Sequence, residues 1–220
     1  MSESTTIIAF DQHAQWVMAA VLGPREAEPA VHPLTSDLPT IGRFVKRLLA
    51  YGPVRCCYEA GPCGFALQRF LTAHDVPCEV IAPTLIPRRP GDRIKTDRRD
   101  AVMLAKLHRA GELTAVWVPD AAHEAMRDLI RARATAVRVL GKARQHLQGF
   151  LLRHGRVYAG KKGWTLPYRR WLTMVRFDHP AQQVVLQDYI HSVYDAEERI
   201  ARLRAGAQAL RARHRPRLPG

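Results

Sequence analysis

Apolar residues in the first third of the chain occur in short runs separated by turn residues, a pattern that predicts strands alternating with helices. Runs rich in β-branched and other apolar residues predict strands over residues 5–11, 15–22, 54–59 and 77–81. A weaker run over 29–34 contains prolines, which is typical of an edge strand. Helical spacing of apolar residues predicts helices over 37–51 and 64–74. The predicted order is therefore β-β-β-α-β-α-β.

A further helix completes this first predicted domain, which covers residues 1–118. A proline-rich loop over 82–96 leads into a helical pattern from Asp97 to about Leu113, with Thr96 as the expected N-cap. The order of elements is that of the ribonuclease H-like fold. We therefore expect an α/β domain with a mixed sheet and flanking helices.

The remaining sequence has helical periodicity only. Apolar residues recur three or four positions apart over 120–154, and they fall at heptad a and d positions over 181–213. Glycine and proline interrupt the segment between these two patterns. We expect a helical hairpin or coiled coil over 119–213, self-association of the chain through 181–213, and a loose tail over 214–220.

Charge divides the chain in the same place. The net charge is +14, and residues 120–220 contain 20 of the basic and 8 of the acidic residues. Such an excess self-repels without a polyanionic partner, so the helical region predicts nucleic-acid binding. The alternative is that its basic helices are only solvated faces.

The cysteines and the first residues indicate the compartment. Four cysteines, Cys56, Cys57, Cys63 and Cys78, form no C-x-x-C pair, and we expect all of them to be reduced packing residues. The N-terminus lacks the basic and apolar regions of a signal peptide. No apolar run is long enough to span a membrane. These features predict a cytoplasmic protein without a membrane partner.

Four acidic residues carry the candidate chemistry. Asp11 and Glu59 each end a mainly apolar run, and Asp97 and Asp100 open the helical pattern in KTDRRDA. Functional groups gather at the carboxyl ends of strands in α/β sheets, so these carboxylates can converge. Converging carboxylates require cations, and hard divalent ions, Mg²⁺ first or Mn²⁺, prefer oxygen ligands. The sequence therefore predicts a metal-dependent catalytic site for phosphoryl transfer.

Each acid also has a structural interpretation. Asp97 and Asp100 lie at a helix N-terminus, where the helix dipole favours acidic residues. Asp11 could be a turn residue and Glu59 a strand-end cap. His13, two residues after Asp11, could be a metal ligand or a proton-transfer group, and otherwise a solvent-exposed turn histidine.

Three segments together resemble the N-terminal part of the DEDD insertion-sequence transposases of the IS110 family. They are IIAFDQH, the block YEAGPCGFALQRFL, and KTDRRDAVMLAKL followed by LTAVWVPD. The resemblance spans residues 7–120 and implies a first domain like that of Holliday-junction resolvases. It assigns the catalytic and metal-binding acids to Asp11, Glu59, Asp97 and Asp100. It also implies a recombinase guided by a structured RNA that pairs with donor and target DNA.

The family resemblance further implies a second, C-terminal domain with a nucleophilic serine. This sequence ends at Gly220, so we expect that domain to be absent from it, whether the chain is a fragment or a short form. The serines in the sequence are poor substitutes by position: Ser2, Ser4, Ser36 and Ser192. We therefore expect nucleic-acid binding without complete strand exchange by this chain alone.

Basic residues beside the acids and in the helical region are the candidates for nucleic-acid binding. They are Lys95, Arg98, Arg99, Lys142, Arg144, Lys161, Lys162, Arg169 and Arg170. Trp164, Tyr168 and Trp171 interleave with the last of these, and such mixtures can stack on unpaired bases. The alternative is that Trp164 and Trp171 anchor a small core.

Three functions remain open at this point. The first is an insertion-sequence transposase that cleaves and exchanges DNA strands with a divalent metal and a guide RNA. The second is a stand-alone nuclease of the Holliday-junction-resolvase type. The third is a non-catalytic, truncated nucleic-acid-binding form.

Overall fold

The computed structural model describes residues 5–87 and 97–213, and the side chains up to residue 210. The chain divides into two compact units, Met1–Val118 and Pro119–Gly220. The expected tail over 214–220, the N-cap Thr96 and most of the loop over 82–96 lie outside the described residues. Within the described ranges, no helix has the length and apolar character needed to cross a bilayer.

The first unit is built on one five-stranded mixed sheet. Its strands in chain order are β1 Thr6–Gln12, β2 Trp16–Leu22, β3 Ala30–Thr35, β4 Val54–Glu59 and β5 Cys78–Ile81. Their order across the sheet is β3-β2-β1-β4-β5. The strands β1, β2 and β3 pair antiparallel, whereas β4 and β5 continue from β1 in parallel. This confirms the predicted ribonuclease H-like α/β fold, including β3 as an edge strand.

Helices cover both faces of the sheet. They are α1 Leu38–Leu49, α2 Ala66–Thr72 and α3 Asp97–Ala110, and a short 3₁₀ turn occupies Pro83–Leu85. The helices α1 and α2 bury Ile41, Phe44 and Leu67 against one face of the sheet. The helix α3 buries Ala101, Leu104 and Ala105 against the other face. Alternate residues of each strand therefore enter different cores, as the period of a strand requires.

Local sequence explains where the helices begin. The Asp37 carboxylate accepts a hydrogen bond from the backbone N–H of Thr40 at 2.8 Å and caps α1, and a proline occupies the first turn. Asp120 caps the next helix, α4 Ala121–Arg153, in the same way, through the N–H of His123 at 2.8 Å. Both caps satisfy donors that a helix start leaves without an intrahelical partner.

The second unit is a helical hairpin with a short helix between its long arms. The arms are α4 and α6 Pro180–Arg213, and the short helix is α5 Leu166–Met174. The C-terminal part of α4 packs on the N-terminal part of α6 through Leu147, Phe150, Leu186 and Val193. The two arms therefore run antiparallel. The hairpin was predicted, whereas α5 lies in a segment for which no helix was predicted.

The heptad stripe of α6 has two different environments. From Leu186 to Ile200, four of its five a and d residues are buried within this chain and the fifth, Tyr189, is partly buried. Further along, Leu203 is only partly buried and Leu210 is 44% exposed. The first part of the stripe thus packs within its own subunit, and self-association of the chain stays a prediction.

All four cysteines are free, as expected. Cys56, Cys57 and Cys78 are buried, and burial raises the pKa of each of these thiols, that of Cys78 to about 12. They are therefore protonated packing residues near neutral pH. Cys63 is less buried, and its Sγ lies 3.8 Å from the carbonyl oxygen of Gln12.

Candidate metal centre

The candidate site lies where β1 ends and the chain turns into β2. Asp11 follows Ile7 and Ala9 on the α3 side of the sheet, because alternate strand residues share a face. The backbone N–H of His13 donates to the carbonyl of Trp16 at 3.0 Å and closes the hairpin between the strands. The turn therefore projects His13 beside the carboxylate of Asp11.

The helix α3 brings the second acid to this point. Its residues Ala101 and Ala105 are fully buried against a sheet face that includes Ala9 and Ala20. Alanines on both sides allow a helix and a sheet to approach closely. As a result the first helical residue, Asp97, lies beside the β1–β2 turn.

The distances define a three-residue group. The Nε2 atom of His13 lies 3.3 Å from Oδ2 of Asp11 and 3.6 Å from Oδ1 of Asp97. The candidate ligand atoms of Asp11, His13 and Asp97 all lie within 4.8 Å of one another. The side chains are accessible, at 25% exposure for Asp11, 39% for His13 and 45% for Asp97. A small ion can therefore reach the group from solvent.

The electrostatics at Asp11 are those of crowded carboxylates. Burial raises the pKa of the Asp11 carboxyl, His13 opposes this by charge and hydrogen bonding, and Asp97 and Asp100 raise it further. The cost of ionising Asp11 next to two other acids is what a bound cation would relieve.

Asp100 and Glu59 lie near the group without joining it. Asp100, one helical turn after Asp97, is close enough to influence Asp11 electrostatically. Glu59 ends β4, one residue beyond the pair Phe10–Tyr58, so the parallel register brings it alongside Asp11. It shares the α3 face with Cys57, and its side chain is exposed. The four predicted acids thus gather at one edge of the sheet, while only Asp11 and Asp97 approach within ligand distance.

The donor set fits a divalent ion. Two carboxylates and one imidazole nitrogen converge, and two more carboxylates stand nearby to complete a coordination shell or hold a second ion. The sequence favours a solvent-exposed turn histidine at position 13, because a histidine in a turn is ordinarily exposed. The structure instead places the imidazole of His13 beside the carboxylates of Asp11 and Asp97. Its position two residues after Asp11 was the available signal.

The predicted nucleic-acid ligands fall into separate groups. Lys95 lies outside the described residues, while Arg98 and Arg99 are exposed on the first turn of α3 beside the acids. In the second unit, Lys142, Lys161, Lys162 and Arg170 are exposed. Their role in nucleic-acid binding stays a prediction.

Arg144 and Arg169 are engaged within the chain. The Nη2 atoms of both donate to Oε1 of Glu197, at 2.8 and 2.7 Å, and Arg169 also donates to Oε2 at 2.8 Å. The guanidinium of Arg144 lies 4.6 Å from the centre of the Trp164 ring. Hydrogen bonding to Arg169 and Arg144 lowers the pKa of the Glu197 carboxyl against the opposing effect of burial. These two arginines thus have a structural role that the sequence did not reveal.

The aromatic residues near them form a small core. Trp164 and Trp171 pack partly buried against the cluster that contains Tyr168 and Leu172. The rings of Trp164 and Trp171 lie 5.1 and 5.4 Å from that of Tyr168. This arrangement agrees with the alternative that the tryptophans anchor a core.

The family model that describes IS110-type DEDD transposases matches residues 8–155. The chain belongs to this transposase family. The matched range contains the whole candidate metal centre and continues through α4. The resemblance seen in the sequence is thereby confirmed.

Two individual relatives of this transposase-family chain are themselves described as transposases. It is 55% identical over 154 residues to y4qE of Sinorhizobium fredii, a provisionally assigned transposase, covering 70% of this chain and 40% of that protein. It is 38% identical over 163 residues to the transposase for insertion sequence element IS1533 of Leptospira borgpetersenii, covering 73% of this chain and 47% of that protein. The chain therefore spans less than half the length of these curated relatives.

Among solved structures, the transposase-family chain is similar to the catalytic core domain of BIV integrase. The TM-score is 0.27 at 8% identity, over 49% of this chain and 66% of that chain. This similarity is too low to add to the strand order and pairings described above.

Proposed function

We propose that this chain contains the metal-dependent DNA-cleavage site of an insertion-sequence transposase, formed by Asp11, Glu59, Asp97 and Asp100. The observation that carries the proposal is the convergence of Asp11 and Asp97, which are separated widely in sequence, at the edge where β1 and β4 end. Family membership over residues 8–155 supports it independently.

The residues have distinct tasks in this proposal. Asp11, rigidly held by the sheet, and Asp97, on the first turn of α3, hold a divalent ion, Mg²⁺ or Mn²⁺. Glu59 and Asp100 complete its surroundings or hold a second ion. A divalent ion bound there would activate the attacking oxygen and stabilise charge on the scissile phosphate. Arg98 and Arg99, exposed on the same helical turn, attract the phosphate backbone.

We further propose that DNA and a structured guide RNA are partners of the whole transposase. The support for RNA guidance is the family to which the chain belongs. The support for polyanion binding is the excess of basic over acidic residues in 120–220 and the exposure of Lys142, Lys161, Lys162 and Arg170. Neutralising phosphates with such residues releases counterions and makes binding salt-dependent.

Calorimetric titration with Mg²⁺ and Mn²⁺ tests the metal site. We expect the unmodified chain to bind, and Asp97→Ala to lose most of its affinity because one of two converging carboxylates is removed. Glu112→Ala is the matched control, since it removes an exposed acid from the same unit. Equal affinity in all three proteins would refute the site.

Cleavage assays on duplex and four-way-junction DNA distinguish the functions. Divalent-dependent cleavage that disappears in Asp97→Ala supports a nuclease-type site. Recombined product formed by the 220-residue chain alone would contradict the expectation that strand exchange needs a further domain. Nucleic-acid binding without any metal binding would instead favour a non-catalytic role.

A further inference from the structure

His13 has a different chemistry from the four acids of the proposed site, yet it lies between two of them. Its Nε2 atom is 3.3 Å from a carboxylate oxygen of Asp11 and 3.6 Å from one of Asp97. Ligand atoms about 2.1 Å from a shared ion lie about 3 Å apart when adjacent and about 4.2 Å apart when opposite. Both distances fall in this range.

The imidazole is held in this orientation by its own hairpin. Its ring stacks on the indole of Trp16, with 4.0 Å between ring centres and 23° between the planes. The backbone N–H of His13 is bonded to the carbonyl of Trp16. Stacking and turn geometry together restrict the side-chain conformations of His13. An ion that binds this imidazole therefore costs little additional conformational entropy.

We infer that His13 supplies a nitrogen ligand to the ion held by Asp11 and Asp97, so that this site prefers Mn²⁺ to Mg²⁺. This inference rests on the proposed metal site and adds to it. Sites with only oxygen ligands suit Mg²⁺, whereas an imidazole ligand favours transition metals. The nitrogen ligand comes from a residue outside the four-acid pattern.

The competing explanation is that His13 only neutralises the two carboxylates. An incoming ion would then displace the imidazole, and the coordination shell would contain oxygen alone. The two explanations differ in whether a nitrogen nucleus is bonded to the ion, which can be measured directly.

The test is pulsed electron paramagnetic resonance of the 220-residue chain loaded with Mn²⁺, combined with calorimetry. We expect a ¹⁴N coupling from a bound imidazole that disappears in His13→Gln. We also expect the variant to lose about tenfold or more of its Mn²⁺ affinity and less than about threefold of its Mg²⁺ affinity. His74→Gln, which changes an exposed histidine of the same unit, should retain both the coupling and the affinities.

The outcomes separate the inference from the proposed function. Failure of the unmodified chain to bind either ion would refute the metal site itself. Mn²⁺ binding that depends on Asp97 but shows no nitrogen coupling would refute only the role of His13. Retention of the coupling in His13→Gln would assign it to another histidine and would also overturn the inference.

Discussion

Glu197 forms ion pairs with both Arg144 and Arg169 inside the second unit, so its removal should be costly. In Glu197→Ala, Arg144 and Arg169 lose hydrogen bonds of 2.7 to 2.8 Å and are left facing each other. Both guanidiniums also lie over aromatic rings, Arg144 over Trp164 and Arg169 over Tyr194, and these contacts limit their movement into solvent.

The expected cost follows from the exposure of the three side chains. They are 23% exposed for Glu197, 31% for Arg144 and 29% for Arg169. Breaking a fully buried pair costs about 3–5 kcal/mol, and an exposed pair contributes about 0–1 kcal/mol. We expect about 2 kcal/mol for this intermediate case. For a unit of this size, that loss lowers its melting temperature by about 8–16 °C.

Urea denaturation followed by tryptophan fluorescence measures this loss, since Trp164 and Trp171 lie in the affected core. Glu198→Ala is the matched control. It breaks the neighbouring pair with Arg202, whose side chains are 69% and 63% exposed, and should change the unfolding free energy by less than about 0.5 kcal/mol. Equal stability of the two variants would refute the reasoning. The nucleic-acid role of the two arginines stays a prediction, and a gain in nucleic-acid affinity in Glu197→Ala without a loss of stability would support it, because the variant frees both guanidiniums.

Three other predictions concern separate parts of the chain. Burial lowers the pKa of His108 below its usual 6.5, so the folded state binds fewer protons than the unfolded state. The unfolding free energy should therefore fall as the pH decreases below about 6.5, and His108→Phe should flatten that part of a stability–pH curve. Replacing Lys161, Lys162 and Arg170 with alanine should reduce the slope of log affinity for RNA or DNA against log salt by about 2 to 3 in filter binding, whereas an unchanged slope would exclude them as phosphate contacts. If the chain self-associates through the N-terminal part of α4 and the C-terminal part of α6, Ile130→Asp should convert the assembly to monomers in sedimentation. Ile130 is 60% exposed, so this change should not disturb the core. An unmodified chain that is already monomeric at high concentration would contradict self-association.

The elements of the first unit were predictable because each carries its own local signal. The strands have apolar runs, and α1 has both a capping aspartate and helical spacing. The helix α5 was missed because Gly163 and Pro167 surround its start and suggest a loop. A proline in the first turn of a helix removes no helical hydrogen bond, however, so it is equally compatible with a helix start.

The site could be predicted only in part, for a related reason. Asp11 and Glu59 are marked by their positions at strand ends, and the parallel register of β1 and β4 then places them side by side. No local pattern reveals that α3 begins next to the β1–β2 turn, which is what makes His13 a neighbour of Asp97. Likewise, Arg144 bonds to Glu197, which is 53 residues away on another helix. No local pattern reveals this pairing, so the sequence suggests an arginine that is free to bind nucleic acid.

The antiparallel arms of the second unit have a length that can be compared with that of a DNA segment. At about 1.5 Å per residue, the 33 residues of α4 extend about 50 Å, which equals about 15 base pairs of stacked DNA. The helix α6 has nearly the same length, so the hairpin is an elongated pair of helices with its aromatic core near one end. Deleting one heptad from each arm would shorten the hairpin by about 10 Å while keeping the apolar stripes aligned. If nucleic acid binds along both arms, helix length would set the spacing between the bound segments and could be changed in steps of known size.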